Sequence, residues 1–207
     1  MMRCMLKLSL KTVIIYLAFF TTLLSAQTIK ELSNMCNDCH GAFGVSSNAD
    51  IPSIAGFSET SITDMLLAFS EELRPAIKGR FRHGDVNRPE TDMVTIAKAL
   101  TEHDIDALAL YYSKQKFVAA NQTFDTALAE QGKKIHQMRC TKCHEEGGSL
   151  AEDDAGIIAG QWMPYLRTAF KEYRTKQRMS EKGMLTKVNA LTEKQVQALI
   201  QYYASQQ

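Results

Sequence analysis

The sequence lacks the glycine-rich loops that bind nucleotides, since neither a Walker-type nor a Rossmann-type pattern occurs in its 207 residues. It also lacks an excess of charge: 24 basic residues meet 23 acidic ones, which argues against a nucleic-acid binder that neutralises phosphates. No segment shows the alternating pattern that is typical of strands. With 45% hydrophobic and 23% charged residues, the chain fits one or two small globular domains and is not collagen-like, low-complexity or disordered.

The N-terminal segment has an apolar core of about 12 residues that begins with the run at positions 13–20. It falls short of the roughly 20 residues that a membrane-spanning helix needs. Three basic residues precede this run and small residues end it. This order predicts a secretory signal, residues 1–26, cleaved near Ala26, and a periplasmic mature chain without a membrane span. A retained N-terminal anchor is the alternative. Cleavage would leave 21 basic and 23 acidic residues, a net charge of −2, and four of the five cysteines.

The four remaining cysteines form two C-x-x-C-H units, at residues 36–40 and 140–144. C-x-x-C-H is the attachment pattern of c-type haem. Two thiols three positions apart on a turning segment reach the two vinyl groups on one haem edge, and the adjacent histidine falls under the iron. The sequence therefore predicts two covalently bound haem c groups. The predicted attachment and proximal residues are Cys36, Cys39 and His40, and Cys140, Cys143 and His144.

Other uses of paired cysteines are possible in principle. Two C-x-x-C pairs build a single zinc site in some proteins, and C-x-x-C pairs also form redox or structural disulfides. Here 104 residues separate the two pairs, and each pair carries its own histidine. These features favour haem over both alternatives.

The rest of the chain is an internal repeat. Ile-Ala-Gly follows both histidines at the same distance, ending at Gly56 and Gly160, and a Tyr-Tyr pair closes both halves. The first half carries 13 extra residues before the register returns. Between these marks the aligned positions include Arg74 and Arg178. We therefore predict a first domain at residues 27–113, a polar linker at 114–125 and a second domain at 126–207.

Each copy has helical periodicity, so the predicted fold class is all-α. Threonines are expected to cap the last helix of each copy, and few large apolar side chains are available, so a bulky cofactor would supply the missing interior. The predicted helices are residues 29–35, 61–72 and the segment from Thr101 in the first copy, and 126–138, 164–174 and the segment from Thr192 in the second.

The second axial ligand of each iron should recur at matching repeat positions. His83, His103 and His136 have no histidine counterpart, whereas Met93 and Met184 are equivalent. A thioether is a soft ligand, and His/Met ligation raises the haem potential. Met93 and Met184 are the predicted distal ligands, with Met179 and Met65 as the next candidates.

Several side chains receive secondary predictions. Glycines allow close backbone approach to a haem face, arginines pair with haem propionates, and aromatic residues pack on the haem or between the halves. The basic stretch at residues 78–84 in the insertion is either a docking loop or a solvated excursion. Gly56 and Gly160 are predicted to allow the close approach, and Arg74 and Arg178 to pair with the propionates. Trp162 and Tyr165 are predicted to pack against the second haem, and Tyr112 and Tyr203 to pack between the halves.

Paired C-x-x-C-H domains with Ile-Ala-Gly, a late methionine and a terminal Tyr-Tyr resemble the dihaem cytochromes c of the cytochrome c-four type. The second half is similar to the cytochrome subunit of flavocytochrome c sulfide dehydrogenase, through the runs at residues 124–129, 140–148, 159–166 and 203–207. The resemblance implies two tandem class I cytochrome c domains. The insertion before Met93 departs from the compact family pattern.

The resemblance also implies a function. The chain would be a non-catalytic electron-transfer subunit whose partner is an FAD-containing sulfide dehydrogenase-like protein, with a soluble cytochrome or terminal oxidase as acceptor. Two alternatives stay open: a free-standing dihaem carrier that feeds a terminal oxidase, and a dihaem enzyme such as a peroxidase with one iron that opens.

Overall fold

The computed structural model describes residues 28–207, so the predicted signal segment and Cys4 lie outside the described residues. Within residues 28–207 the fold is all-helical, apart from one isolated bridge between Gly79 and Thr91. This confirms the predicted all-α class. The helices are α1 (Ile29–His40), α2 (Glu59–Ser70), α3 (Met93–Lys98) and α4 (Glu102–Ser113), then α5 (Thr126–Arg139), α6 (Met163–Arg174), α7 (Lys182–Asn189) and α8 (Glu193–Ala204).

The helix starts follow local capping chemistry. Thr101 and Thr192 cap α4 and α8 through capping boxes, with Asp104 and Gln195 at the third helical position. Both caps were predicted. The short helices α3 and α7 were not predicted. Asp92 caps α3 by accepting the backbone N–H of the third helical residue at 2.7 Å, whereas α7 has no side-chain cap.

Each set of four helices has its own apolar core. In the first set α4 packs against α1 and α2, and the core includes Leu32, Leu108 and Tyr112. In the second set α8 packs against α5 and α6, with Leu199 and Tyr203 among its most buried residues. Ile157, from the second set, lies in the core of the first. The two repeats therefore share apolar packing and are not structurally independent.

Helices α5 and α8 cross at very short range because Gly132 has no side chain. A Cβ at this position would lie 2.0 Å from the carbonyl oxygen of Ala198. The carbonyl of Ala198 belongs to the backbone of α8, and Gly132 lies within α5. Neither helix backbone can shift locally to make room for a side chain.

We expect Gly132→Ala to destabilise the protein by at least about 3 kcal/mol, because the two helices must separate. The matched control is Gly183→Ala in α7, where no heavy atom lies within 4 Å of the added Cβ. That control should be neutral or gain up to about 1 kcal/mol from helix propensity. Urea unfolding of the haem-loaded protein measures both free energies, and equal effects would contradict this account.

The Ile-Ala-Gly segments occupy equivalent places in the two repeats. The backbone N–H of Gly56 donates to the carbonyl of Tyr112 at 2.9 Å, and that of Gly160 to the carbonyl of Tyr203 at 2.8 Å. Both glycines have positive φ, +73° and +69°, which favours glycine. A Cβ on Gly160 would lie 2.6 Å from Cβ of Ala119. The structure thus gives a reason for these glycines that was not predicted: they approach the linker and the last helix of their own repeat.

The repeats meet through a polar contact as well as through Ile157. Gln161 is 1% exposed, and its side-chain amide bonds both backbone groups of Ser53: Oε1 accepts the N–H at 3.1 Å, and Nε2 donates to the carbonyl at 2.8 Å. Trp162 Nε1 donates to the carbonyl of Ser46 at 2.9 Å. The loop after the first C-x-x-C-H is therefore held against the start of α6.

None of the helices in residues 28–207 has the length and apolar character that crossing a membrane requires.

Candidate functional site

The first C-x-x-C-H lies on the last turns of α1. Cys36 packs against the first core and burial raises the pKa of its thiol to about 11, so the thiol is protonated at neutral pH. His40 is 8% exposed, and its Nδ1 lies 2.8 Å from the carbonyl of Pro52. A carbonyl only accepts, so Nδ1 carries the proton and Nε2 presents a lone pair. Burial lowers the pKa of His40, which keeps the imidazole neutral. A neutral, oriented imidazole of this kind is typical of a metal ligand.

The second C-x-x-C-H follows directly after α5. The N–H groups of Cys143 and His144 both donate to the carbonyl of Cys140, at 3.1 and 3.0 Å, so the motif continues as a tight turn. His144 is 8% exposed, and burial lowers its pKa as well. Both histidines are thus buried, while the cysteines beside them lie nearer the surface.

The geometry bears on the two other uses of paired cysteines. All four cysteines in the described part of the chain are free. Among residues 28–207 there is also no group of three or more His, Cys, Asp or Glu side chains that would hold a metal ion. A single zinc site shared by the two pairs is therefore absent from this arrangement.

A tyrosine of the last helix lies beside the first cysteine of each motif. Tyr112 is 1% exposed, and its hydroxyl donates to Asn37 Oδ1 at 3.0 Å. Burial raises the pKa of the Cys36 thiol, and the contact with Tyr112 partly offsets that rise. Tyr203 is 2% exposed and relates to Cys140 in the same way. The prediction that these tyrosines pack between the halves was wrong. Each lies in the core of its own repeat, where its hydroxyl has a partner.

The tyrosine partners differ between the repeats. In the second repeat the Tyr203 hydroxyl lies 3.1 Å from Nδ1 of His136, which is 1% exposed. The aligned residue in the first repeat is Leu32. Nε2 of His136 has no hydrogen-bond partner, and burial lowers the pKa of the ring. This buried imidazole is the clearest chemical difference between the two interiors. Sequence analysis noted the mismatch with Leu32 but assigned His136 no role.

The predicted distal methionines lie on the two short helices. Met93 is the first residue of α3 and Met184 the third residue of α7; both are half-buried, and Met93 packs against the first core. The alternative Met179 is 58% exposed. Met65 packs against the first core beside Gly156 of the second repeat. Both members of the equivalent pair thus lie half-buried in the first turn of a short helix, whereas Met179 is exposed.

Two equivalent arginines converge between the repeats. Arg74 is 8% exposed and donates to the Tyr165 hydroxyl at 3.4 Å, while its Nε has no partner. Burial opposes ionisation of Tyr165, but Arg74 and Arg178 together lower its pKa. No carboxylate forms an ion pair with either arginine among the described residues. A buried guanidinium group and a half-buried one, neither with such a partner, fit an anionic group, and haem carries two carboxylates.

Comparison with known proteins agrees with this arrangement. A family model described as cytochrome C oxidase, cbb3-type, subunit III matches residues 127–202, which lie in the second repeat. Cytochrome c4 of Stutzerimonas stutzeri is 28% identical over 185 residues, covering 81% of this chain and 82% of the relative. A thiosulfate dehydrogenase electron acceptor of Thiomonas intermedia (strain K12) is 28% identical over 183 residues, covering 83% and 78%.

Solved structures show the same fold. Reduced recombinant cytochrome c4 from Pseudomonas stutzeri superposes with a TM-score of 0.68 at 24% identity, covering 88% of this chain and all of the other. Thiosulfate dehydrogenase from Marichromatium purpuratum gives a TM-score of 0.64 at 24% identity, covering 82% of this chain and 36% of that one. In sequence and in fold the chain is similar to cytochrome c4-type dihaem cytochromes.

This dihaem cytochrome carries two covalently bound haem c groups and transfers electrons. The residues present fit that cofactor: each repeat supplies two free thiols and a buried histidine, and the first fixes its histidine by a backbone acceptor. Sequence reasoning missed that Arg74 and Arg178 meet. Their equivalence was visible, but their convergence depends on how the repeats pack. Trp162 and Tyr165 were predicted to lie against the second haem. In the structure both form hydrogen bonds with residues of the first repeat.

The pairing of His136 with Tyr203 yields a stability prediction for this cytochrome. We expect His136→Leu to cost about 1–3 kcal/mol, because the buried Tyr203 hydroxyl loses its partner. Adding Tyr203→Phe should recover most of the loss, since the pair is then replaced by apolar groups of similar shape. Denaturant unfolding of both haem-loaded variants measures this. A double variant that is less stable than the single one would contradict it.

Proposed function

We propose that the protein is a periplasmic electron carrier that accepts single electrons from a dehydrogenase of reduced sulfur compounds and passes them to a soluble cytochrome or terminal oxidase. The observation that carries the electron-transfer role is the occurrence of one C-x-x-C-H with a buried histidine in each of two equivalent helical repeats. Periplasmic location is supported by the signal-like segment at residues 1–26.

The proposed haem-binding residues act in three ways. Cys36 and Cys39, with Cys140 and Cys143, form the thioether bonds. His40 and His144 ligate the irons from the proximal side through Nε2. Met93 and Met184 supply the distal thioether sulfur, which raises the haem potentials.

Bound in this way, haem c supplies a reversible one-electron couple. If the histidine and the methionine of each repeat both held its iron, no position would be open to a substrate, and the chain would relay electrons without being a catalytic centre by itself. The protein's part is to exclude water, through the tyrosine-lined cores, and to compensate propionate charge, through Arg74 and Arg178. The domain division proposed is 27–113 and 126–207, joined by residues 114–125.

Two kinds of electron donor are candidates. The relative named as a thiosulfate dehydrogenase electron acceptor and the thiosulfate dehydrogenase structure favour a thiosulfate-oxidising donor. The similarity of the second half to the cytochrome subunit of flavocytochrome c sulfide dehydrogenase favours an FAD-containing, sulfide-oxidising donor. Both kinds of substrate give up electrons in pairs, which two haems accept one at a time.

Purification from the native periplasm tests the function. We expect a c-type haem spectrum with two haems per chain, and reduction by a co-purifying fraction when thiosulfate is added. Flavin absorbance in that fraction and reduction by sulfide alone would instead establish the flavoprotein donor. A haem protein that purifies alone and is oxidised by a terminal oxidase would be the free-standing carrier. Peroxide turnover would contradict the relay role.

A further inference from the structure

The 13 extra residues of the first repeat form a closed loop between α2 and α3. Gly79 and Thr91 pair in an antiparallel bridge, with N–H to carbonyl distances of 2.9 and 3.0 Å in the two directions. We call residues 79–91 the insertion loop. The second repeat has no equivalent segment, so the loop makes the two haem sites unequal.

The insertion loop is anchored on the first haem-attachment motif. The backbone N–H groups of Arg82 and His83 both donate to the carbonyl of Asp38, at 2.8 and 2.9 Å. The guanidinium of Arg88 pairs with the Asp38 carboxylate at 2.5 Å and stacks on the Phe81 ring, 3.6 Å from its centroid. Three contacts therefore anchor the loop to Asp38, the second residue between the two cysteines, while most of its side chains are exposed to solvent.

The loop also covers the second cysteine of the motif. Cys39 is half-buried, whereas its counterpart Cys143 is exposed. A thioether sulfur marks the haem edge to which it is bonded. That edge is covered in the first repeat and open in the second.

The two motifs also differ in the acidic residues beside them, which are paired with arginines in the first repeat and, among the described residues, not in the second. In the first repeat Asp50 pairs with Arg82 at 2.6 Å, and Asp38 pairs with Arg88. In the second repeat five acidic residues follow the motif, in a segment held together by the bond from the Glu145 N–H to Asp153. These residues are Glu145, Glu146, Glu152, Asp153 and Asp154, which align with Gly41, Ala42, Asn48, Ala49 and Asp50.

We propose that the insertion loop closes the first haem edge to other proteins, so that electrons are exchanged with a soluble redox partner at the second haem edge, and that this partner presents a basic surface. The proposal rests on the proposed electron-transfer function. Four of the five acidic residues beside Cys143 are exposed, and no arginine is bonded to any of them among the described residues, so their charge is available to a partner. Complementary charge steers such encounters and raises their rates.

The experiment measures electron transfer from the reduced, haem-loaded protein to a basic monohaem cytochrome c at several ionic strengths. The variant Glu145→Lys/Glu146→Lys should slow the second-order rate by about tenfold or more at low salt, and high salt should remove the difference. The matched control is Lys78→Glu/Arg80→Glu, two exposed charges at the insertion loop, for which we expect a change below about twofold. Equal effects of the two double variants would overturn the proposal.

Two further measurements separate a failed surface assignment from a failed function. Carbodiimide cross-linking to the same cytochrome should join its lysines to the acidic segment 145–154, and cross-links confined to the insertion loop would overturn the proposal. Releasing the loop with Arg82→Ala/Arg88→Ala should increase reduction by a small neutral reagent at the first edge. If the wild-type protein is not oxidised by any cytochrome or oxidase, the electron-transfer function itself has failed.

Discussion

Replacing Cys140 and Cys143 together with serine is expected to leave a protein with one covalent haem in place of two. Serine forms no thioether, so the second haem is held only by axial ligation and is lost on denaturing purification. Mass spectrometry should show the loss of one macrocycle, and the visible absorbance should fall to about half. Cys140 packs against the second core, which includes Leu166 and Tyr203, so loss of the cofactor is also expected to cost the second repeat its cooperative unfolding transition.

The control for this experiment lies within the same motif. Lys142→Gln changes an exposed residue between the two cysteines and should retain both haems. The reciprocal variant Cys36→Ser/Cys39→Ser should remove the other haem and leave the second repeat loaded. If the Cys140→Ser/Cys143→Ser protein kept two covalent macrocycles under denaturing conditions, the assignment of these residues would be wrong.

Replacing Met184 with alanine is expected to lower the reduction potential of one haem by a few tenths of a volt, since axial ligands set haem potentials over roughly 0.8 V. A thioether stabilises the reduced iron, and water that replaces it favours the oxidised form. Met93→Ala should act in the same way on the other haem. Spectroelectrochemical titration should show one wave moving in each variant, with the sulfur-to-iron charge-transfer band reduced to about half.

Two exposed methionines serve as controls for ligand loss. Met138 is 73% exposed and Met179 is 58% exposed, so leucine at either position should leave both potentials unchanged. A shift in Met179→Leu with none in Met184→Ala would assign the distal role to Met179. This comparison tests the choice of Met93 and Met184, which rests on their equivalence in the sequence repeat.

Local patterns predicted most of the helices. Thr101 and Thr192 predict the starts of α4 and α8. A capping threonine and a polar residue three positions later accept hydrogen bonds from the free N–H groups at a helix start. The Asp92 cap of α3 carried a similar signal that was overlooked. Helix α7 has no side-chain cap, so no local pattern marks its start.

The roles of single side chains were predicted less well. Tyr112 and Tyr203 were assigned to the boundary between halves from their repeat equivalence alone, but a tyrosine is buried where its hydroxyl has a partner, and that partner lies in its own repeat. The sequence repeat shows that the first half contains an insertion of 13 residues. Its attachment to Asp38 depends on contacts between segments about 50 positions apart, which no spacing rule describes.

The haem count and the twofold repeat follow from sequence alone, and the sequence also predicts the attachment cysteines and the proximal histidines. Covalent haem attachment needs residues only three and four positions apart, and a repeat preserves its own register. The tertiary structure decided the rest: the meeting of Arg74 with Tyr165, the bonds of Gln161 to Ser53, and the covered first edge against the open second one. These contacts join residues that are far apart in the chain. The contacts of Arg74 and Gln161 exist only because the two repeats share a buried interface, whose geometry is set by side-chain packing over the whole molecule.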